Sequence, residues 1–287
     1  MLKNILQTLK INHYIKNLII AIPLFFSMNY ANVYLYKICI EMFISFCLIS
    51  SAVYIFNDLA DIEKDSKHPV KSKRPIASGK ISKRAAIIMF FILFIAGIYA
   101  ACRVNILCTV MVGLYLILNV LYSILLKSFV LIDIACIALG FILRIVAGCF
   151  AIYVLPSPFV ILMTFFGSMF FTFTKRKLEL LMLGKENCRT SINGLDVELI
   201  SQFIFASAIL CIAFYFTYTI DIVTINRAGT QYLYITTIPL TLIMFRLLCL
   251  TNSSYTGYDP IVFLKDKILI YFAIFYIFTF ILAYLLK

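Results

Sequence analysis

The sequence predicts an all-α membrane protein, a polytopic bundle of about nine transmembrane helices that forms one domain over residues 1–287. Hydrophobic residues make up 63% of the chain and charged residues only 13%, whereas a soluble domain carries about 25% charged residues. The apolar residues also form long runs instead of the broken stripes of surface helices. These observations exclude a soluble protein.

The predicted spans are the apolar runs, because roughly 20 apolar residues are needed to cross a bilayer as a helix. The start of the chain lacks the pattern of a cleaved signal peptide, so we expect the first run to remain as a helix. The nine predicted spans cover residues 17–35, 38–57, 84–102, 104–124, 130–151, 157–174, 198–220, 231–250 and 267–286.

Basic residues concentrate in loops that alternate along the chain. If the N-terminus is cytoplasmic, most of the 25 lysines and arginines fall in or beside the N-terminal segment and four loops, at 58–83, 125–129, 175–197 and 251–266. Basic residues accumulate in cytoplasmic loops, so we expect the N-terminus and these loops on the cytoplasmic side of a bacterial-type inner membrane. The same rule explains the net charge of +12 without a nucleic-acid partner.

An Asp-rich segment follows the second predicted span and reads Asn57-Asp58-Leu59-Ala60-Asp61, with Asp65 one turn further on. On a continuous helix, Asn57, Asp58, Asp61 and Asp65 fall within one arc of about 100°. Crowded carboxylates need a cation among them, and hard oxygen ligands select Mg²⁺. The segment therefore predicts a magnesium site at Asp58, Asp61 and Asp65. The alternative is a solvated acidic helix end that forms ion pairs with nearby lysines.

The loop after this segment combines prolines with basic residues. Pro69 and Pro75 stop any helix, and Lys71 and Arg74 supply cations for phosphate oxygens. Arg74 is the better phosphate ligand because its guanidinium presents a planar fork. His68 is expected to be a loop residue without a metal role.

The fifth predicted span carries charges on one face. Asp133, Gly140, Arg144 and Gly148 share that face at roughly 100° per residue. Arg144 lies about 16 Å along the helix from Asp133, well inside the membrane, so it must face the bundle interior and needs a partner. A phosphate group or a buried carboxylate would serve, and the second choice would make it a structural ion pair. The glycines allow a helix or a ligand to approach closely.

Two further loops carry candidate ligands. Tyr122 and Lys127 flank the inner end of the fourth span, where an interfacial aromatic residue and a topology-setting lysine are also common. Lys175 and Arg176 open the third basic loop, and Glu179 close to them suggests an ordered network of charges.

The pattern Asn-Asp-x-x-Asp-x-x-x-Asp at 57–65, with His68-Pro69 and the string from Arg74 to Gly79, resembles the signature of the UbiA-type membrane prenyltransferases. Other segments are similar to one branch, the polyprenyl-phosphate phosphoribosyltransferases. Two positions depart from that branch, because Tyr14 stands where it usually has Trp and Leu195 where an aromatic residue is common. The segments similar to the branch are Tyr14–Leu18, Tyr122-Ser123, Lys127, Asp133, Gly140-Phe141, Arg144, Gly148, Lys175-Arg176, Glu179, Asp259-Pro260 and Leu264–Asp266.

The resemblance implies a nine-helix bundle that binds phosphoribosyl diphosphate with Mg²⁺ and transfers the phosphoribosyl group to a polyprenyl phosphate lipid. It implies catalytic roles for Asp58, Asp61, Asp65, Asp133 and Glu179. The implied substrate-binding residues are Lys16, Asn17, Asn57, Lys71, Arg74, Tyr122, Lys127, Arg144, Lys175 and Arg176.

Two other functions are open on the sequence, and so is assembly into a homo-oligomer. The first is a prenyltransferase that uses an isoprenyl diphosphate and an aromatic or quinone-precursor acceptor. Such enzymes carry a second Asp-rich motif, whereas the loop from Lys175 to Val197 holds Glu179, Glu186 and Asp196 without a DxxxD pattern. The second is a non-enzymatic lipid-phosphate carrier, which the one-sided distribution of charges disfavours.

Overall fold

Long apolar helices dominate the computed structural model, which describes residues 2–27, 32–67, 71–183, 194–252 and 266–286. Every regular element in these ranges is helical, and eight of the helices are long and apolar enough to cross a membrane. The all-α, multi-pass membrane architecture is therefore confirmed. The α-helices are α1 Leu2–Leu9, α2 Ile22–Phe26, α3 Val33–Ala60, α4 Ile62–Lys67, α5 Lys83–Val104, α6 Ile106–Ile124, α7 Ile132–Ala151, α8 Pro158–Leu183, α9 Val197–Ile220, α10 Ile222–Ala228, α11 Thr237–Asn252 and α12 Lys267–Leu285. Short 3₁₀ helices cover Ile11–Ala21, Lys71–Lys73, Leu126–Ser128 and Tyr232–Thr236.

The first predicted span, 17–35, differs from the structure. A 3₁₀ segment of 11 residues, Ile11–Ala21, leads into the five-residue helix α2, and α3 begins at Val33. At about 2.0 Å per 3₁₀ residue and 1.5 Å per α residue, the two pieces cover about 30 Å. That length equals the hydrocarbon thickness of a bilayer, about 30 Å. The segment thus has the reach of a span although it is too short to count as a regular one.

Gly148 explains how the 3₁₀ segment packs. A Cβ atom on Gly148 would overlap the carbonyl oxygen of Ile20, so only glycine lets this backbone approach α7 so closely. Ile20 and Asn17 are the buried residues of this segment. The close approach predicted for the glycines of this helix is confirmed at Gly148.

The described residues group into two compact units. The first comprises residues 1–127 and 142–156, and its core is centred on α3. Met42, Phe46 and Ile49 of α3 are fully buried there against residues of α5, α6 and the second half of α7.

The second unit comprises residues 128–141 and 157–287. Phe170 and Phe173 of α8 pack against Ile200 and Ile204 of α9 in its core, with residues of α11 completing the cluster. The prediction of one domain over the whole chain stays a prediction.

Polar caps set where several spans begin. The Asn105 side chain accepts the N–H of Cys108 at 2.8 Å to start α6, and it also donates to the Phe150 carbonyl at 2.9 Å. Asp196 caps α9 and Asp266 caps α12 in the same manner. Side-chain oxygens at these positions accept hydrogen bonds from backbone N–H groups that have no partner within the first helical turn.

Candidate functional site

Two buried carboxylates meet one arginine in the first unit. Asp58 lies in the last turns of α3 with 2% of its surface exposed, and Asp65 lies in α4 with 3% exposed. Nη1 of Arg74 is 3.1 Å from Asp58 Oδ1 and 2.7 Å from Asp65 Oδ2. One oxygen of each carboxylate therefore contacts the same cationic nitrogen.

The helix predicted through the Asp-rich segment is interrupted at Asp61. Helix α3 ends at Ala60 and α4 begins at Ile62, and Asp61 has φ −99° and ψ 10°. Hydrogen bonds still link the Asp61 N–H to the Asn57 carbonyl at 3.0 Å and the Asp65 N–H to the Asp61 carbonyl at 2.8 Å. The chain keeps nearly helical spacing across the break, which explains why Asp58 and Asp65 remain on one face.

Asp61 binds a different cation. Both of its carboxylate oxygens accept from Nζ of Lys127, at 2.7 and 3.0 Å. The structure thus brings Asp58 and Asp65 together around Arg74 and pairs Asp61 with Lys127. The ion pairing weighed as the alternative for this segment is present, and a metal role for Asp61 stays a prediction.

Lys10 belongs to the same cluster, and the sequence reasoning missed it. Its Nζ lies 2.9 Å from Asp58 Oδ1, the oxygen that Arg74 also contacts, and 4.7 Å from the centre of the Tyr54 ring. The backbone of Lys10 is left-handed, with φ 52° and ψ 47°, a conformation uncommon outside glycine. Burial lowers the pKa of Lys10, and the nearby Asp58 carboxylate opposes that shift.

Arg144 faces the interior of the first unit, as its depth in the membrane requires. Its Nε donates to Asn17 Oδ1 at 2.7 Å and its Nη2 donates to the Tyr115 hydroxyl at 2.8 Å. The guanidinium carbon also lies 4.4 Å from the centre of the Tyr115 ring, within cation–π distance. Asn17 and Tyr115 are neutral, whereas the sequence suggested a phosphate or a carboxylate as the partner.

A second charged network lies in the second unit. Arg176 of α8 donates from Nη2 to Asp133 Oδ2 at 2.6 Å and from Nη1 to Glu179 Oε2 at 2.9 Å. Asp133 and Arg176 are both buried. The ordered network predicted around Glu179 is present, and it joins two acids expected to act in catalysis to an arginine expected to bind substrate.

The remaining predicted residues are more open. Lys16 and Lys175 are exposed, whereas Asn57, Lys71 and Tyr122 are half-buried. Their substrate contacts stay predictions. Parts of the sequence pattern lie outside the described residues, namely His68-Pro69, Asp259-Pro260 and Leu264-Lys265.

The donor set of the first unit fits a magnesium site built on two carboxylates. Within the described residues, no three His, Cys, Asp or Glu side chains converge on one point. Magnesium, however, is usually bound through one or two carboxylates together with substrate phosphates and water. The buried oxygens of Asp58 and Asp65 around one cationic nitrogen match that requirement.

These features define an integral, multi-pass membrane protein with buried acids that form ion pairs with cations. Residues 18–182 match the model of the UbiA prenyltransferase family. The chain belongs to this family of membrane transferases, which confirms the resemblance seen in the sequence.

Relatives and solved structures agree with this assignment. The decaprenyl-phosphate phosphoribosyltransferase of Mycolicibacterium smegmatis is 26% identical over 79% of this chain and 74% of its own length. The enzyme of that name from Corynebacterium glutamicum is 29% identical over 84% of this chain and 74% of its own length. A UbiA homolog from Archaeoglobus fulgidus, solved with GPP and Mg²⁺, superposes with a TM-score of 0.71 at 16% identity, over 98% of this chain and 97% of that one. At that identity the superposition shows a shared fold.

Proposed function

We propose that the chain transfers the 5-phosphoribosyl group of phosphoribosyl diphosphate to the phosphate of a polyprenyl lipid, with Mg²⁺, on the cytoplasmic side of a bacterial inner membrane. Relatives named for this reaction, at 26% and 29% identity over most of the chain, support the choice of substrates. The acid–cation cluster of the first unit, which consists of Asp58, Asp65, Arg74 and Lys10, supports binding of a metal diphosphate.

The observation that carries the proposal is the sharing of one arginine nitrogen by Asp58 and Asp65. A site for a metal diphosphate needs carboxylates for the metal and cations for the phosphate oxygens. Arg74 and Lys10 hold the carboxylates in place, and both are well suited to exchange a carboxylate for a phosphate oxygen when the diphosphate enters. The same exchange frees the carboxylates to bind the metal.

The reaction breaks the bond between C1 of the ribose and the diphosphate oxygen, and forms a bond between C1 and an oxygen of the acceptor phosphate. The acceptor is already anionic, so the step requires no strong general base. Arg74 and Lys10 stabilise the charge that grows on the departing diphosphate. Mg²⁺ held by Asp58, Asp65 and, as the sequence predicts, Asp61 would neutralise part of the same charge.

Other residues position the reactants. We assign Lys71 and Lys127 to the diphosphate, and on this proposal Lys127 exchanges the Asp61 carboxylate, which it contacts in the structure, for a phosphate oxygen. In the second unit, Asp133 and Glu179 fix the orientation of Arg176. Orientation of the acceptor by these acids is a proposal that rests on the sequence resemblance.

Transfer can be tested in membranes that contain the protein, with ribose-labelled phosphoribosyl diphosphate, a polyprenyl phosphate and Mg²⁺. Label should enter the lipid phase only when the lipid is present. Asp58→Asn should lower the rate by about 100-fold or more, the scale of losing one charge-stabilising group at a reaction centre. Glu41→Gln is the matched control, because Glu41 lies on α3 as well, where its carboxylate is 4.0 Å from the exposed Arg103.

Two results would contradict the proposal. Turnover of an isoprenyl diphosphate with an aromatic acceptor, without phosphoribosyl transfer at any lipid length, would establish the prenyltransferase alternative. Equal transfer rates for Asp58→Asn and Glu41→Gln would show that the acid–cation cluster takes no part in the reaction.

A further inference from the structure

An open groove of about 410 Å³ lies in the second unit between α8, α9 and α11. Ile204 and Phe205 of α9 and Phe245 and Leu248 of α11 form apolar walls, and Lys177 of α8 contributes the cation. A volume of this size is in the range of small-ligand pockets, about 300–1,000 Å³. The groove therefore has room for a headgroup and the beginning of an apolar tail.

The depth of the groove matches the level of lipid headgroups. Its three helices are all candidate membrane spans. At 1.5 Å per residue, Lys177 lies about 9 Å from the end of α8, and Ser201, which also lines the groove, lies about 6 Å from the start of α9. Thr251 adds a lining residue from the last turn of α11. The cation thus lies near the ends of the three spans, where phosphate groups of lipids are found.

Lys177 is buried, in contrast to an ordinary lysine at the membrane interface. Its side chain has only 6% of its surface exposed, whereas lysines near span ends usually extend their ammonium groups into water. Charged residues held within a membrane segment usually serve function. Phe205 and Phe245, in contrast, are 56% and 45% exposed, so the apolar side of the groove is open to an incoming chain.

We propose that this groove binds an isoprenoid lipid monophosphate, with the phosphate on Lys177 and the first isoprene units against Phe205 and Phe245. One buried cation suits a single phosphate, and two exposed aromatic rings suit a single unsaturated chain. The inference rests on the proposed function, because it locates where the lipid acceptor docks.

The test uses the purified full-length protein and a photoreactive isoprenyl monophosphate whose reactive group is on the first isoprene unit. Cross-linking yield is measured against probe concentration without any phosphoribosyl donor, and the labelled peptides are mapped by mass spectrometry. Label is expected on the α9 and α11 peptides that contain Phe205 and Phe245. Lys177→Gln should raise the half-saturating concentration by roughly tenfold or more, since it removes a charge-assisted hydrogen bond.

Two matched variants separate loss of charge from loss of structure. Lys267→Gln, which neutralises an exposed lysine of the same unit, should bind the probe like the wild type. Lys177→Arg keeps the charge and should retain most of the binding. Unchanged binding by Lys177→Gln, or label confined to other helices, would overturn the inference.

Competitors identify the chemistry of the ligand. Unlabelled isoprenyl phosphate should displace the probe, and the corresponding isoprenyl alcohol should displace it poorly. Equal displacement by phosphatidic acid or by inorganic phosphate would overturn the assignment to an isoprenoid. If the probe maps to the groove but no phosphoribosyl transfer occurs, the docking site stands and the proposed reaction fails. If transfer proceeds with an unchanged KM for lipid in Lys177→Gln, the docking site fails and the reaction stands.

Discussion

Replacing Gly148 with alanine tests whether the 3₁₀ segment is held against α7 by a contact that only glycine permits. The new Cβ would overlap the carbonyl oxygen of Ile20 and lie 3.1 and 3.3 Å from the carbonyl carbon and Cα of that residue. These are backbone atoms, so no side-chain rotation can relieve the overlap. The segment must shift, and overpacking of this kind typically costs about 1–3 kcal/mol.

Gly113→Ala is the matched control. A Cβ at Gly113, in α6, meets nothing within 4 Å, and alanine is favoured over glycine inside a helix by about 1 kcal/mol. Gly148 also lies in a helix, α7, so this gain is common to both substitutions, and they should differ by about 1–3 kcal/mol in the free energy of unfolding. At about 2–4 °C per kcal/mol for a chain of this size, the Tm of Gly148→Ala should lie roughly 2–12 °C below that of Gly113→Ala.

The assay is the fraction of detergent-solubilised protein that remains monodisperse after heating to a series of temperatures. The wild type should lie between the two variants. A Tm for Gly148→Ala equal to or above that of Gly113→Ala would refute the close approach of Ile20 to α7. It would also weaken the placement of Asn17 beside Arg144, because Asn17 lies on the same segment.

Three further predictions concern charged groups. Arg176→Met should destabilise the protein by about 3–5 kcal/mol in thermal unfolding, because it leaves the buried Asp133 carboxylate without its arginine. Lys10→Met should lower kcat/KM for phosphoribosyl diphosphate by about 10- to 100-fold, because the site loses a charge-assisted phosphate ligand. The hydrogen bonds from Arg246 hold the pKa of Asp266 below its ordinary value of 3.8, so the ion pair stabilises the fold above that pH and is lost as the pH falls through the lowered pKa. Asp266→Asn keeps the helix cap but should remove this pH dependence, and the Tm values of variant and wild type should begin to approach each other near pH 3.8 and converge as the pH falls through the lowered pKa.

Each of these predictions has a control. Glu179→Gln should cost less than Arg176→Met, because the Glu179 side chain is partly exposed. Lys3→Met, at an exposed lysine near the start of the chain, should leave kcat/KM unchanged, and an equal loss in both lysine variants would exclude a specific role for Lys10. A Tm difference between Asp266→Asn and the wild type that stays constant from pH 7 to pH 3 would contradict the ion pair with Arg246.

Features that depend on neighbours in the chain were predictable. Eight of the nine predicted spans correspond to apolar helices of the structure, because each is encoded by one continuous apolar run. The spacing of Asp58 and Asp65 also predicted a shared face, since hydrogen bonds along the backbone keep it through the break at Asp61. Membership of the UbiA family was predictable from the same Asp-rich pattern at 57–65.

The partners of the charged groups were decided by packing. Lys10 meets Asp58 across 48 residues and Lys127 meets Asp61 across 66 residues, and no local rule states which lysine of many will face which acid. Those pairings place Asp58 and Asp65 around Arg74 and Asp61 beside Lys127, whereas the sequence treated the three acids as one group.

By itself, therefore, the sequence determined that this protein folds in a lipid bilayer and where most of its spans lie. It also determined that Asp58 and Asp65 share one face. The tertiary structure alone decided that Arg144 meets Asn17, which is 127 residues away, and that a 3₁₀ segment, Ile11–Ala21, lies against Gly148 where the sequence predicted the start of a regular span. Hydrophobic runs and helical periodicity act over a few turns of one helix. Ion pairs and close backbone contacts depend on which helices are neighbours, and this is settled only when the whole bundle packs.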